Sequence, residues 1–404
     1  MRLTLLAFYT ASITGASPLF QRDNSGTSYP ASGTKGPTPK PEWVATYNAS
    51  VAAGRIPSSS PSYLDSNGAV KYGEGVETGQ GGRCTDSRKR AVNGCFGTND
   101  VYDAPDGMFA VSFDDGPLPA SPTLYSFLRE SNQTATHFFI GSNILDNPTI
   151  FDQAVDMGGH IAVHTWSHPY MTTLTDHQIL GELGWTIQLI YDRSGRLPAW
   201  WRPPYGDADN RVRAIAEEVF GLTLVGWNQD SDDWCLNAGG GSSCGSSGPT
   251  SDSDLLQELT GWLSGSKAPG LLPLEHELTS RSVGAFIKAY SAVQEHGWDT
   301  RCVPDLFDEA WYLNADRREA PDESFEVGAG NASFYDAVAS SAAAATSLTS
   351  TAPAASTSST ASAAQQHLPT SSSSSSSSGA KTSRLTYRTL HNLVVLAAAF
   401  IFFA

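Results

Sequence analysis

Five short polar clusters carry the residue types that metal binding and proton transfer require. They begin at Ser112, His164, Arg202, Asp230 and Leu274, and each follows an apolar stretch typical of a β-strand. Together they hold imidazoles, paired carboxylates and an arginine. Each cluster alone is ordinary loop chemistry, but the complete set predicts a hydrolase that uses a metal ion.

The second cluster contains two histidines at a spacing common in metal sites. His164 and His168 are four residues apart, so one helical turn can direct both imidazoles at a single point. Asp115, at the end of the first strand, would complete a set of two histidines and one carboxylate. Because such a set leaves a coordination position open to water, we predict that Asp115, His164 and His168 bind a catalytic divalent cation.

The residues around this set are candidates for the other catalytic roles. Adjacent carboxylates at a strand end point in different directions, so Asp114 can act as the general base while Asp115 binds metal. Arg202 is expected to orient Asp114 through a bidentate contact in a partly buried site. The backbone amide of Tyr205 can donate to a developing oxyanion.

The fourth and fifth clusters supply a candidate general acid. His276 must be protonated for this role, so it needs a carboxylate neighbour that raises its pKa, and Asp233 is the natural partner. Trp234 would form an apolar wall beside the substrate. The remaining histidines are predicted to be structural or solvated: His137, His160, His177, His296, His367 and His391.

Strands and helices alternate through the middle of the chain. Strands are predicted at 108–113, 135–140, 160–163, 199–201, 222–227, 271–274 and 298–303. Helices are predicted at 176–191, where Thr175 and Gln178 form a capping-box pattern, and at 210–220, 254–263 and 281–296. This alternation predicts an α/β fold with parallel strands, either an open sheet or a barrel. Because all five clusters follow strand ends, we favour a distorted (β/α) barrel of about seven strands.

The two ends of the chain read as targeting segments. Residues 1–16 resemble a secretory signal peptide, with cleavage expected after Ala16. Ser378 is a candidate attachment site for a GPI lipid, because residues 379–404 combine a polar spacer with a short apolar tail. The alternative for this tail is a short membrane anchor. We therefore expect a secreted protein attached through lipid to the outer plasma membrane, the cell wall or both.

Composition and net charge indicate how the chain divides into segments and which kinds of partner it has. We predict an irregular, partly disordered N-terminal extension at 17–106 with a short helix at 41–53, a catalytic domain at 107–313 and a Ser/Thr/Ala-rich linker at 314–378. The net charge of −16 lacks a dense basic face, which argues against nucleic acid as a partner. We expect a monomer that contacts membrane only through its lipid.

The five cysteines lie in a chain expected to enter an oxidising compartment. Cys235 and Cys244 flank a glycine-rich stretch and are predicted to form a disulfide. Cys84, Cys95 and Cys302 leave one thiol over, and the sequence does not choose the pair, although we favour a bridge from one N-terminal cysteine to Cys302. Three sequons predict surface glycans, at Asn48, Asn132 and Asn331.

With all five clusters in order over residues 108–313, the chain resembles the polysaccharide deacetylase family (NodB-homology domain, carbohydrate esterase family 4). The resemblance implies a distorted barrel with one divalent metal, usually zinc and sometimes cobalt. It implies the same ligands, base and acid as above, with Arg202 orienting the base, Asp233 tuning His276 and the Tyr205 amide binding the oxyanion. Ser112 stands where the family often has threonine, with no expected consequence.

Two stretches, 164–175 and 227–237, look most like fungal chitin deacetylases. This resemblance implies hydrolysis of N-acetyl groups on β-1,4-linked N-acetylglucosamine in chitin, giving chitosan and acetate at a cell wall. One alternative is deacetylation of xylan or peptidoglycan by the same site. Another is a wall-bound carbohydrate-binding protein without activity, which the presence of every catalytic group disfavours.

Overall fold

The structure is a computed structural model that describes residues 28–73, 97, 99–317, 319–321 and 326–329. Several predictions lie outside these residues: the signal peptide, most of the linker, Ser378 with the lipid-attachment segment, Asn331, Cys84 and Cys95. None of the helices in the described part of the chain is both long and apolar enough to cross a membrane.

The described residues form eleven strands and eight α-helices. The strands are β1 (Tyr63–Leu64), β2 (Val70–Lys71), β3 (Met108–Ala110), β4 (Ser112–Asp114), β5 (Thr136–Phe139), β6 (His160–Val163), β7 (Trp200–Trp201), β8 (Thr223–Leu224), β9 (Gln229–Asp230), β10 (Pro273–Leu274) and β11 (Asp299–Arg301). The helices are α1 (Pro41–Ala52), α2 (Ser121–Glu130), α3 (Gly141–Asp146), α4 (Pro148–Asp156), α5 (Asp176–Ser194), α6 (Asn210–Phe220), α7 (Asp252–Leu263) and α8 (Ser280–Glu295).

The parallel strands close into an imperfect ring. Strands β4, β5, β6, β7 and β8 form one sheet in that order. The chain continues from β8 into β9, which pairs with β10, and the segment after β10 returns to β4 through a parallel bridge between His276 and Asp114. Strand β11 pairs with β3. The predicted α/β fold with parallel strands is confirmed, and all seven predicted strands are present.

Alternating side chains of these strands build two apolar cores. Within β6, Ala162 faces the interior of the ring with Phe138 and Leu272. Its neighbours Ile161 and Val163 face outward and pack under the helices. Because both faces are covered, every residue of β4, β5, β6 and β7 is buried, as expected for parallel strands flanked by helices.

The helices outside the ring follow their sequence signals. Helix α5 begins at the predicted capping box, in which Thr175 accepts from the Gln178 amide and Gln178 accepts from that of Thr175. Helices α6, α7 and α8 lie within two residues of their predicted bounds. Helices α2, α3 and α4 were not predicted individually. Both α2 and α4 have proline in the first turn, a helix-start signal.

Residues of the N-terminal extension pack on the outer helices. Helix α1 confirms the short helix expected there, and its Trp43 is fully buried against Trp185 and Phe220. The Trp43 indole donates to the carbonyl of Val327, so packing also continues beyond the predicted end of the catalytic domain. The hairpin of β1 and β2 follows.

Candidate metal centre and active site

The five polar clusters meet at the carboxyl ends of the ring strands. Asp114 is the last residue of β4, and His164 follows β6 directly. Arg202 follows β7, Asp233 comes three residues after β9, and His276 comes two residues after β10. Carboxyl ends of parallel strands in a closed ring share one rim, so the side chains converge although Asp114 and His276 are 162 residues apart in the chain.

Three of the predicted residues form a compact cluster of metal-ligand type. The Oδ1 atom of Asp115 lies 3.4 Å from Nε2 of His164 and 3.3 Å from Nε2 of His168. All three ligand atoms lie within 4.8 Å of one another. This Oδ1 atom is buried and accepts no hydrogen bond within the described residues. An orphaned carboxylate oxygen facing two imidazole nitrogens fits a divalent cation.

The second nitrogen of His164 fixes the orientation of its ring. Nδ1 lies 2.7 Å from the carbonyl oxygen of Arg202. Because a carbonyl only accepts, Nδ1 must carry the hydrogen, which leaves the lone pair of Nε2 directed at Asp115. A backbone acceptor behind the ring is the usual way to hold a ligating imidazole in one tautomer.

The protonation states of the cluster suit metal binding. Burial opposes ionisation of Asp115, but the interactions with the imidazoles of His164 and His168 hold its pKa well below the usual range. Burial lowers the pKa of His168 to about 4. A charged carboxylate and a neutral imidazole are the forms that bind divalent cations, so little proton release is needed near neutral pH.

Several residues of the site hold left-handed backbone conformations. The φ angles are 68° at Asp115, 67° at Thr165, 59° at His168 and 59° at Tyr205. Each such conformation costs a non-glycine residue on the order of 1–2 kcal/mol. Surrounding contacts must therefore hold the loops in place, as is common where geometry serves a function.

Arg202 is completely buried and contacts Asp114. Its Nη1 donates to Oδ1 of Asp114 at 2.7 Å. The predicted bidentate contact is wrong, because Nη2 donates instead to the Ser112 hydroxyl at 3.2 Å and to the carbonyl of Gly226 at 3.1 Å. The guanidinium also lies over the ring of Phe138, 4.2 Å from its centroid. These contacts leave Oδ2 of Asp114 facing the cluster, 3.7 Å from Nε2 of His164.

His276 and Asp233 form the predicted pair, on the strand end beside that of Asp114. Nδ1 of His276 lies 2.5 Å from Oδ1 of Asp233, and the backbone amide of His276 donates to Oδ2 at 2.9 Å. Burial alone would lower the pKa of this imidazole, but Asp233, with smaller effects of Asp115 and Asp114, raises it to about 10. Nε2 is therefore the nitrogen left free to serve the site.

Exposed aromatic rings line the mouth of the site. Tyr205 is 42% exposed and Trp234 is 47% exposed. The ring of Tyr205 packs edge-on against His168 at 4.7 Å between centroids. It also stacks in parallel on Tyr170, with ring centroids 4.0 Å apart and 11° between the ring planes. Tyr170 was not predicted, although an aromatic residue two positions after a candidate ligand was a usable signal.

Sequence reasoning also missed a buried network below His276. Glu277 is fully buried and its carboxylate binds Nδ1 of His137 and, at 2.9 Å, the hydroxyl of Tyr125. The Glu277 amide donates to the carbonyl of Asp114 at 3.0 Å. His137 is structural, as predicted, but its buried acidic partner was not foreseen. The sequence signal for this network was the pair of acidic residues, Glu275 and Glu277, that flank His276 after an apolar stretch.

The cysteine predictions have mixed outcomes. The disulfide between Cys235 and Cys244 is confirmed, with Cα atoms 5.3 Å apart, and it closes the loop that follows Asp233. The favoured bridge to Cys302 is wrong, because Cys302 is a free, buried thiol. It follows β11 inside the apolar core, where no second cysteine of the described residues reaches it. Asn48 and Asn132 are exposed, and their glycosylation stays a prediction.

Comparisons with known proteins find relatives of this chain by sequence. The polysaccharide deacetylase family model matches residues 102–225. Chitin deacetylase 3 of Cryptococcus neoformans var. neoformans is 46% identical over 227 residues, covering 55% of this chain and 53% of the relative. Chitin deacetylase 1 of Saccharomyces cerevisiae is 33% identical over 256 residues, covering 62% of this chain and 79% of the relative. The chain belongs to the polysaccharide deacetylase family.

The comparisons cover only part of this chain and part of its relatives. The chain spans about half the length of the first curated relatives it matches. A solved chitin deacetylase of Colletotrichum lindemuthianum superposes with a TM-score of 0.46 at 21% identity, covering 53% of this chain and 94% of that chain. Within this polysaccharide deacetylase, the family model begins at residue 102 and thus leaves out the extension that carries α1.

Proposed function

We propose that this chain is a metal-dependent chitin deacetylase, which hydrolyses N-acetyl groups of β-1,4-linked N-acetylglucosamine to give chitosan and acetate. The observation that carries the proposal is the convergence of three ligand-type atoms within 4.8 Å of one another, on the same rim as the buried carboxylate of Asp114 and the paired imidazole of His276. This is the set of groups that amide hydrolysis requires at neutral pH.

Asp115, His164 and His168 would hold one divalent cation. A cation bound there supplies Lewis acidity, which polarises the acetyl carbonyl and lowers the pKa of water. Two imidazoles and one carboxylate with an open position suit zinc best, with cobalt as the alternative.

Asp114 is assigned as the general base. Its Oδ1 is held by Arg202 at 2.7 Å, so Oδ2 is the oxygen available to remove a proton from water. The water oxygen then forms a bond to the acetyl carbonyl carbon. Arg202 does not touch the substrate in this scheme, because it is fully buried below Asp114. It positions the base and balances its charge.

Tyr205 and His276 are assigned to the two later steps, in which negative charge develops on the acetyl oxygen and the amide nitrogen takes up a proton. The Tyr205 amide, on its left-handed turn, is assigned as a donor to the oxyanion that develops from the acetyl oxygen. Nε2 of His276 then donates its proton to the amide nitrogen while the C–N bond breaks. Acetate leaves with the new oxygen, and the sugar keeps a free amine. Asp233 holds Nδ1 of His276 throughout.

The substrate assignment depends on the relatives and on the aromatic mouth. The curated relatives reported above are named chitin deacetylases. Tyr205 and Trp234 present exposed ring faces of the kind that stack on pyranose rings. An acetyl-xylan or peptidoglycan deacetylase would use the same catalytic groups, so the loops bearing these rings decide between the substrates.

Acetate release tests the proposal. The purified chain should release acetate from glycol chitin much faster than from acetylated xylan or peptidoglycan, and chelation should stop release. A preference for either alternative polymer would replace chitin as the substrate. If no acetate appears from any polymer while chitin binding survives chelation, the chain is a carbohydrate-binding protein instead.

We also propose the targeting and boundaries inferred from the sequence. The mature chain would begin after residue 16, with the catalytic domain at 107–313 and the linker at 314–378, and would be monomeric and glycosylated at Asn48, Asn132 and Asn331. A GPI lipid on Ser378 would hold it at the outer plasma membrane or wall. Release from cells by phosphatidylinositol-specific phospholipase C supports this, and retention after treatment contradicts it.

A further inference from the structure

The loop that carries His164 and His168 is held from behind by one buried carboxylate. Glu182, on α5, is fully buried. Its Oε2 accepts the backbone amides of Trp166 and Ser167, both at 2.8 Å, and its Oε1 accepts the Ser167 hydroxyl at 2.7 Å. Two of the three residues between the histidines are therefore tied to α5. Such support is needed because the loop contains strained left-handed residues.

The N-terminal extension completes this support. The backbone amide of Gly36 donates to Oε1 of Glu182 at 2.7 Å. The indole of Trp166 donates to the carbonyl of Ala31 at 3.2 Å. The extension thus shares the carboxylate that holds the metal-ligand loop, and it also satisfies the one polar atom of the buried Trp166 side chain.

A second contact fixes the far end of the same loop. The backbone amide of Ser62 donates to the carbonyl of Thr172 at 2.8 Å, and the hydroxyls of Ser62 and Thr172 lie 2.6 Å apart. The amide of Thr172 in turn donates to the buried carboxylate of Asp207 at 2.8 Å. The extension therefore contacts the loop on both sides of His168.

Helix α5 is shaped to receive the extension. A Cβ atom on Gly181 would lie 1.7 Å from the carbonyl oxygen of Pro37, and one on Gly184 would lie 2.5 Å from the ring of Trp43. Glycine in a helix interior costs roughly 1 kcal/mol relative to alanine. Two glycines three residues apart, under the segment that covers them, show that close approach of the extension outweighs helix propensity here.

We infer that residues 28–62 are an intramolecular clasp that holds the His164–His168 loop in its metal-binding geometry. The clasp acts through Glu182 and Thr172 and touches neither metal nor substrate. It rests on the metal site proposed above, and it gives a role to a segment that lies outside the residues matched by the family model. Glu182 is accordingly a positioning residue for the two imidazoles.

Gly181→Ala tests the clasp without touching the metal ligands. The new methyl group collides with the Pro37 carbonyl and should displace the extension. Gly284→Ala, on α8, is the matched control, because nothing lies within 4 Å of its new Cβ atom. Displacement is read as faster tryptic cleavage after the exposed Lys35, and metal binding as zinc affinity in competition with a chromophoric chelator.

In Gly181→Ala we expect faster cleavage and a zinc Kd raised about 10- to 100-fold, the range typical when support of metal ligands is lost. Gly284→Ala should match the unmodified chain in both measurements. Unchanged zinc affinity with a displaced extension would overturn the clasp. Failure of the unmodified chain to bind zinc would instead overturn the metal site itself.

A second variant covers the case in which Gly181→Ala does not fold or keeps its extension in place. Ser62→Ala adds no atoms and removes the hydroxyl contact with Thr172. We expect it to raise the zinc Kd several-fold, with an unfolding temperature close to that of the unmodified chain. An unchanged Kd in a folded Ser62→Ala protein would overturn the proposal.

Discussion

Replacing Asp233 by asparagine should move the pH dependence of catalysis. Asp233 binds Nδ1 of His276 at 2.5 Å and is the largest contributor to raising the pKa of this imidazole to about 10. Asparagine keeps the shape and one acceptor oxygen but removes the charge. Burial, which lowers the pKa of His276, is then opposed by weaker charge interactions, including those with Asp114 and Asp115.

The size of the effect follows from the charge that is lost. An adjacent opposite charge shifts a pKa by about 1–3 units, so Asp233→Asn should lower that of His276 by about 2 units. His276 is active when protonated, and it loses its proton as the pH rises through its pKa. The basic limb of the profile should therefore move to lower pH. At a pH above the His276 pKa values of both proteins, Asp233→Asn should be about 100-fold slower than the unmodified chain. At low pH the loss of rate should be much smaller.

The assay is kcat/KM for acetate release across pH 5 to 11, with metal content checked in each sample. A bound cation lowers the pKa of His276 in both proteins, so the difference between their basic limbs is the quantity to compare. Asp230→Asn is the control, because Asp230 interacts with His276 through charge alone and makes no hydrogen bond to its ring within the described residues. An equal loss at every pH would refute the electrostatic role and leave Asp233 with an orienting role only.

Asp114→Asn and His276→Ala should each abolish turnover while one cation per chain is retained, because neither side chain is assigned as a ligand; metal loss in either variant would show that ligands and proton carriers are misassigned. Tyr170→Ala should raise KM for a chitin tetramer several-fold by removing the ring stacked under Tyr205, at about 0.5–1.5 kcal/mol for such a pair. Tyr170→Phe keeps the stack and should behave as the unmodified chain. Equal KM values for both Tyr170 variants would exclude a role for the stack in substrate binding.

The residues of the site could be predicted because strand ends converge. Asp115, His164 and His168 follow strands that the apolar pattern marked, and a ring of parallel strands brings such positions to one rim. The pairing of Asp233 with His276 followed from the need for a charged imidazole. The single hydrogen bond from Arg202 could not be foreseen, because its second nitrogen is taken by the Gly226 carbonyl, whose position depends on the whole ring.

What the sequence did not reveal depends on contacts distant along the chain. Glu182 reads as an ordinary helix residue, and only the folded chain shows that it holds the loop of the metal ligands. Cys302 was expected to pair with an N-terminal cysteine because five cysteines allow a second disulfide, whereas the structure buries it in the core as a free thiol. Helices α3 and α4 have only six and nine residues, so periodicity alone does not separate them from loops.

Metal content and acetate release, measured on one preparation, test the central assignment most directly. We predict one divalent cation per chain, acetate release that stops on chelation and returns with zinc, and loss of both cation and activity in Asp115→Asn. Full acetate release by metal-free protein, or undiminished metal binding by Asp115→Asn, would contradict a cation held by this carboxylate and the imidazoles of His164 and His168.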